Sequence, residues 1–89
     1  MTNFRVAYID EDGEPLAVFL DSGAEAGPGR LIVYSRVGEH SEADIDYLRR
    51  LPLASEATYQ QLHAYLSRRY AGDPGQPLTL TIDQEGVPR

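Results

Sequence analysis

The chain has 89 residues, no cysteine, and a formal charge of −6 from 14 acidic against 8 basic side chains. Without cysteine there are no disulfides, no thiolate catalysis and no cysteine-ligated zinc or iron–sulfur site. The acidic balance, in which every cation is arginine, disfavours a phosphate-backbone binder, so no direct nucleic-acid contact is expected.

No apolar run approaches the roughly 20 residues of a membrane span. Met1-Thr2-Asn3-Phe4 lacks the basic and apolar regions of a secretory signal. The expectation is a cytoplasmic protein without membrane association, folded as one small domain over residues 1–89.

Phe4 to Ile9 alternates as a strand with Phe4, Val6 and Tyr8 on one face. Asp10 to Pro15 is a turn, with Asp12-Gly13 as its hairpin signal. Leu16 to Leu20 reads as a second, more buried strand. The glycine-rich stretch Asp21 to Gly29 reads as a loop without helix or strand. Leu31 to Ser35 is a third strand, and short connections make the three an antiparallel meander.

Gly38 breaks the chain and Ser41 is expected to start a helix, with Asp44 completing a capping box. Ile45, Leu48 and Leu51 give that helix an apolar stripe, and Pro52 stops it. Ser55 caps a longer helix to about Ala71, ended by Gly72, with Tyr59, Leu62, His63, Leu66 and Tyr70 on one face. After a loop over 73–77, Leu78 to Ile82 alternates strictly as a last strand, and Glu85 to Arg89 reads as a loose tail. The predicted fold is α+β: a mostly antiparallel sheet, order β-β-β-α-α-β, with both helices packed on one face. The predicted core holds Val6, Val18, Leu20, Ile32, Ile45, Leu48, Leu62, Leu66 and Leu80.

Leu16-Ala17-Val18-Phe19, Tyr34, Gly38, His40, Ser41, Tyr47, Ala54-Ser55, Tyr59 and Leu62 carry a resemblance. The chain resembles a family of small uncharacterised proteins from phages, plasmids and bacterial genomes. That family shows Tyr-x-His-x-Gly-Gln-His-Ser followed by Pro-Ala-Thr-x-x-Glu-Tyr. Arg36 stands where His is usual, Glu39 for Gln, Leu53 for Pro and Thr58 for Glu. The resemblance spans roughly residues 5 to 82. It implies a fold and a mobile-element habitat, and it brings no activity with it.

His40 is the main candidate for site chemistry. Ser41 beside it is not a nucleophile–base pair, because adjacent residues rarely place imidazole on hydroxyl with a third group orienting the ring. Glu39, His40, Glu42, Asp44 and Asp46 do not converge as metal ligands in a helix. Asp10 to Glu14 lacks the calcium-loop pattern. His63 reads as a hydrogen-bonded core histidine. No catalytic residue, metal or cofactor is assigned.

The expected function is a non-enzymatic binding or accessory protein. Its site is a surface of Tyr34, Arg36, Glu39, His40, Ser41 and Tyr47, since Tyr and Arg dominate interaction hot spots. The expected partner is a host protein, as the mobile-element habitat of the resembled family implies. A narrower version makes the carboxylates of Asp10, Glu11, Asp12, Glu14 and residues 39–46 one acidic surface that mimics nucleic acid. The alternative is a small enzyme using His40 with nearby carboxylates. A homodimer is also expected as possible, through an uncharged edge strand at Leu16 to Leu20 or Leu78 to Ile82.

Overall fold

The computed structural model describes residues 2–35, 40–71 and 78–87. Strand β1 (Thr2–Glu11) is the longest strand, with Val6, Ala7, Tyr8 and Ile9 all buried. It turns through Asp12 and Gly13, both at positive φ (54° and 88°), into β2 (Glu14–Phe19). Two consecutive positive φ values make the tight hairpin turn whose twist matches the strands. The Gly13 N–H donates to Asp10 Oδ1 at 2.6 Å.

A one-turn helix α1 (Gly23–Ala26) lies inside the stretch expected to be loop only. Ser22 explains how it stays in register. Its hydroxyl donates to the Phe19 carbonyl (2.6 Å) and accepts from the Ile32 N–H (2.8 Å), extending the ladder between β2 and the next strand. Strand β3 (Arg30–Ser35) follows, antiparallel to β2.

The next element corrects the sequence reading. His40–Asp44 is not the first turn of a helix but strand β4, antiparallel to β3, with Tyr34 opposite His40 and Arg30 opposite Asp44. The cause is β3, whose outer N–H and C=O groups need a partner. The alternation Ser41-Glu42-Ala43-Asp44 supplies one, and Arg30 reaches both Glu42 (3.5 Å) and Asp44 (3.2 Å) across the pair. The expected Ser41–Asp44 capping box is therefore absent, and Asp44 precedes the short helix α2 (Ile45–Arg49) without a side-chain cap bond.

Residues 52–54 then run along β1: Asp10 N–H donates to the Pro52 carbonyl, Leu53 bridges Ile9, and Ala54 N–H donates to the Tyr8 carbonyl. Helix α3 (Glu56–Ala71) is the one long helix. Its Tyr59, Leu62 and Leu66 are buried, as their spacing predicts. Strand β5 (Leu78–Ile82) closes the sheet in the order β4-β3-β2-β1-β5. It runs parallel to β1, whereas the other three strand pairings are antiparallel. The fold is thus α+β with a mostly antiparallel, mixed sheet. Gly38, Gly72 and the expected loop 73–77 lie outside the described residues.

The two helices do not share a face. One core cluster joins Val6, Tyr8, Ala17, Phe19, Tyr34 and Leu80 to α3. The other joins Ala7, Ile9, Leu16, Val18, Leu31 and Val33 to Leu48 of α2 and to Val87. Alternating strand residues feed alternate clusters, which is why β1 and β2 read as continuous apolar runs. Val87 is buried beyond a 3₁₀ turn (Gln84–Gly86), so this part of the expected tail belongs to the core. Of the nine predicted core residues, Leu20, Ile32 and Ile45 are only half-buried, and the other six are buried.

Leu66 has no exposed surface and sits at the centre of the α3 face. Leu66→Ala should lower the unfolding free energy in urea by about 2–5 kcal/mol, while a loss under about 1 kcal/mol would contradict this packing.

Candidate functional site

His40 opens β4, and its imidazole lies among three aromatic rings. Its cross-strand partner Tyr34 meets it edge-on at 4.7 Å between centroids, and Phe19 of β2 lies at 6.0 Å. From the last turn of α3, the Tyr70 hydroxyl is 2.6 Å from His40 Nε2. Burial lowers the His40 pKa, with Arg69 adding to the effect, and burial raises that of Tyr70. Both groups are thereby favoured in their neutral forms. Between two neutral groups, the contact is one hydrogen bond whose donor is set by the imidazole tautomer.

Beside this pair lies a cleft of about 250 Å³. Phe4, Phe19, Ile32 and Leu80, from four adjacent strands, make its apolar lining, and His40 and Tyr70 add the polar pair. Phe4 is 38% exposed, unusual for a phenylalanine on the inner face of a sheet. Arg5, Asp21 and Ser22 complete the lining. Their charges are mutually engaged: Arg5 contacts Asp21 at 2.8 Å and Asp83 at 3.2 Å. The hydrogen bond to Asp21 is the main cause that raises the Arg5 pKa, and the bond from Arg5 lowers that of Asp21.

The expected site residues divide. Tyr34 and His40 meet on the α3 face, where Arg69 donates to the Tyr34 hydroxyl (3.2 Å) and lies over its ring. Ser41 alternates to the opposite face of β4 and is exposed. Tyr47 projects from α2, also remote from His40, and its hydroxyl donates to Glu11. That bond is the main cause raising the Tyr47 pKa. Arg36 and Glu39 lie outside the described residues.

The acidic groups divide as well. Glu42 and Asp44 pair with Arg30 toward the end of the sheet away from the Asp10–Glu14 hairpin, and Asp46 pairs with Arg49 on α2. Among the described residues, no group of three or more His, Asp or Glu side chains could hold a metal ion.

Phe19, Tyr70, Phe4, Ile32 and Leu80 were absent from the expected site. Phe4, Tyr70, Ile32 and Leu80 read as inward residues of their own elements, whereas Phe19 alternates with the predicted core residues Val18 and Leu20. Only the register, which places Phe19 opposite Ile32 and Phe4 beside Leu80, brings them together.

His63 forms a separate neutral pair. Its Nδ1 is 2.8 Å from the Tyr8 hydroxyl, and the Tyr8 ring stacks on Tyr59 at 4.8 Å. Burial lowers the His63 pKa and raises that of Tyr8. This is the hydrogen-bonded core histidine its helical position predicts.

A scan against protein-family models finds no match, and neither do searches of curated proteins and of solved structures.

Both imidazoles are held below the ordinary value of 6.5, so the folded state takes up fewer protons than the unfolded chain as pH falls past that value. Stability must then decrease on acidification from about pH 7.5 to about pH 5.5. NMR titration should place both imidazole midpoints below 6.5. A midpoint above it for either ring would contradict the assignment of partly desolvated, neutral imidazoles.

Proposed function

We propose that this protein is a non-enzymatic binding module that holds one aromatic or long aliphatic side chain of a protein partner in the cleft beside His40. The observation that carries this reading is the cleft itself. At about 250 Å³ it is smaller than the roughly 300–1,000 Å³ of sites for drug-sized ligands. Its size and apolar lining suit a single large side chain, the usual anchor of a protein interface. The neutral His40–Tyr70 pair adds one hydrogen-bonding group at the wall, enough to orient an anchor with a polar tip.

The partner is a host protein and the role an accessory one. The phage and plasmid habitat of the family that the chain resembles supports this part of the reading. Among the described residues, no helix is long and apolar enough to cross a membrane.

A second reading, a small enzyme using His40 with nearby carboxylates, draws on the His40–Tyr70 contact inside a cleft. It is the weaker one. Glu42 and Asp44 are engaged by Arg30, and Asp21 by Arg5. An orienting carboxylate would raise the His40 pKa, whereas burial lowers it.

Titration with N-acetyl-tryptophanamide, followed by amide NMR, tests the anchor site. Shifts should concentrate at Phe4, Phe19, Ile32, His40, Tyr70 and Leu80. They should disappear in Ile32→Trp, where the new indole fills the cleft. No shifts, or shifts centred on the α2 face, would contradict the proposal.

A further inference from the structure

The sheet has two edges, and they differ in chemistry. β4 ends the sheet with Glu42 and Asp44, charges of the kind that protect an edge from adding another strand. β5, at the other end, reads Leu-Thr-Leu-Thr-Ile and holds neither charge nor proline. The other strand that the sequence singled out as a possible edge, β2, lies inside the sheet between β1 and β3.

The direction of the open groups follows from the register. Asp83 N–H donates to the Val6 carbonyl of β1, and Val6 is opposite Ile82. Backbone groups alternate sides along a strand. Thr79 and Thr81 therefore direct theirs toward β1, while Leu80 and Ile82 direct their N–H and C=O groups outward. Among the described residues, no strand pairs with that outer side.

The strand is also self-complementary. In an antiparallel pair with a two-fold axis at Leu80, Leu80 faces Leu80 of a second copy, Leu78 faces Ile82, and Thr79 faces Thr81. Leu80 and Ile82 then align on one face and the threonines on the other. The outward groups of Leu80 fall at a hydrogen-bonded position of such a pair, as do those of Ile82.

We infer that β5 is a self-association edge, which pairs antiparallel with β5 of a second copy about a two-fold axis at Leu80. The interface is isologous and joins two five-stranded sheets into one continuous sheet. Both α3 helices stand on the same face of it. The inference is independent of the cleft's ligand. A contact of one short strand belongs to the weak, reversible class of interfaces. Each copy carries a charge of −6, so mutual repulsion opposes pairing and added salt strengthens it.

Sedimentation and hydrogen exchange on the intact protein decide the matter, over concentrations from about 10 μM to about 1 mM, where weak association registers. The mass should rise from 9.9 kDa toward twice that value, more readily in high salt. The Leu80 and Ile82 amides should become protected as it does. The double substitution T79K and T81K, at two exposed positions, should keep the wild-type circular dichroism and weaken association about tenfold or more by setting like charges opposite each other. A constant monomer mass overturns the inference, as does a dimer in which the Leu80 and Ile82 amides stay unprotected. The exchange measurement on the unaltered chain decides even if the variant fails to fold.

Discussion

The structure depends on satisfying the outer edge of β1. A strand buried on both faces cannot leave backbone N–H and C=O groups open, because each unpaired group costs on the order of 1–3 kcal/mol. β2 covers one side along Val6 to Glu11. The other side is shared by three unrelated pieces. β5 serves Thr2 to Val6, residues 52–54 serve Tyr8 to Asp10, and a side chain stands between them. Gln84 Oε1 accepts from the Tyr8 N–H (2.6 Å), while its Nε2 donates to the Tyr8 and Ala54 carbonyls (2.9 and 3.1 Å). The side-chain amide thus takes the place of a peptide group where β5 ends. Two of these pieces flank α3 in the chain, so closing this edge also sets the helix over the sheet. Tyr70 is thereby brought to His40, and the cleft exists.

The polar groups that line the α3 face of the sheet, exposed His40 and half-buried His63 and Tyr70 among them, obey the same economy of charge. Tyr8 with His63 and Tyr70 with His40 are neutral pairs, each a phenol against an imidazole whose pKa burial lowers. Partial desolvation disfavours the charged form of each imidazole, and Arg69 disfavours it further at His40. The ion pairs of Arg5, Arg30 and Arg49 lie at the surface instead. There each contributes little to stability, and those of Arg30 help hold a pairing in register.

Local signals in the sequence are the ones that hold. The Asp12-Gly13 turn, the α3 stripe and the alternation of β5 need no information from elsewhere in the chain. The segment 41–51 misleads because Ser41 and Asp44 imitate a capping box ahead of Ile45, Leu48 and Leu51. Its strand character depends on a vacancy beside β3, which no local pattern reports. The parallel pairing of β5 with β1 and the interior place of β2 are likewise properties of neighbours. For the site, His40 and Tyr34 stand out because they bracket a break between strands. Tyr70, thirty residues beyond His40, reads only as a core tyrosine until α3 is laid on the sheet.

The central claim, that a glutamine side chain completes the edge of β1, is open to direct measurement by amide exchange at Tyr8. In the unaltered protein the Tyr8 amide should be protected to a degree comparable with Val6, its neighbour on the same edge. Gln84→Ala should accelerate Tyr8 exchange selectively and leave Val6, bonded toward β5, protected. Rapid exchange at Tyr8 in the unaltered protein, or unchanged exchange in the variant, would contradict the account.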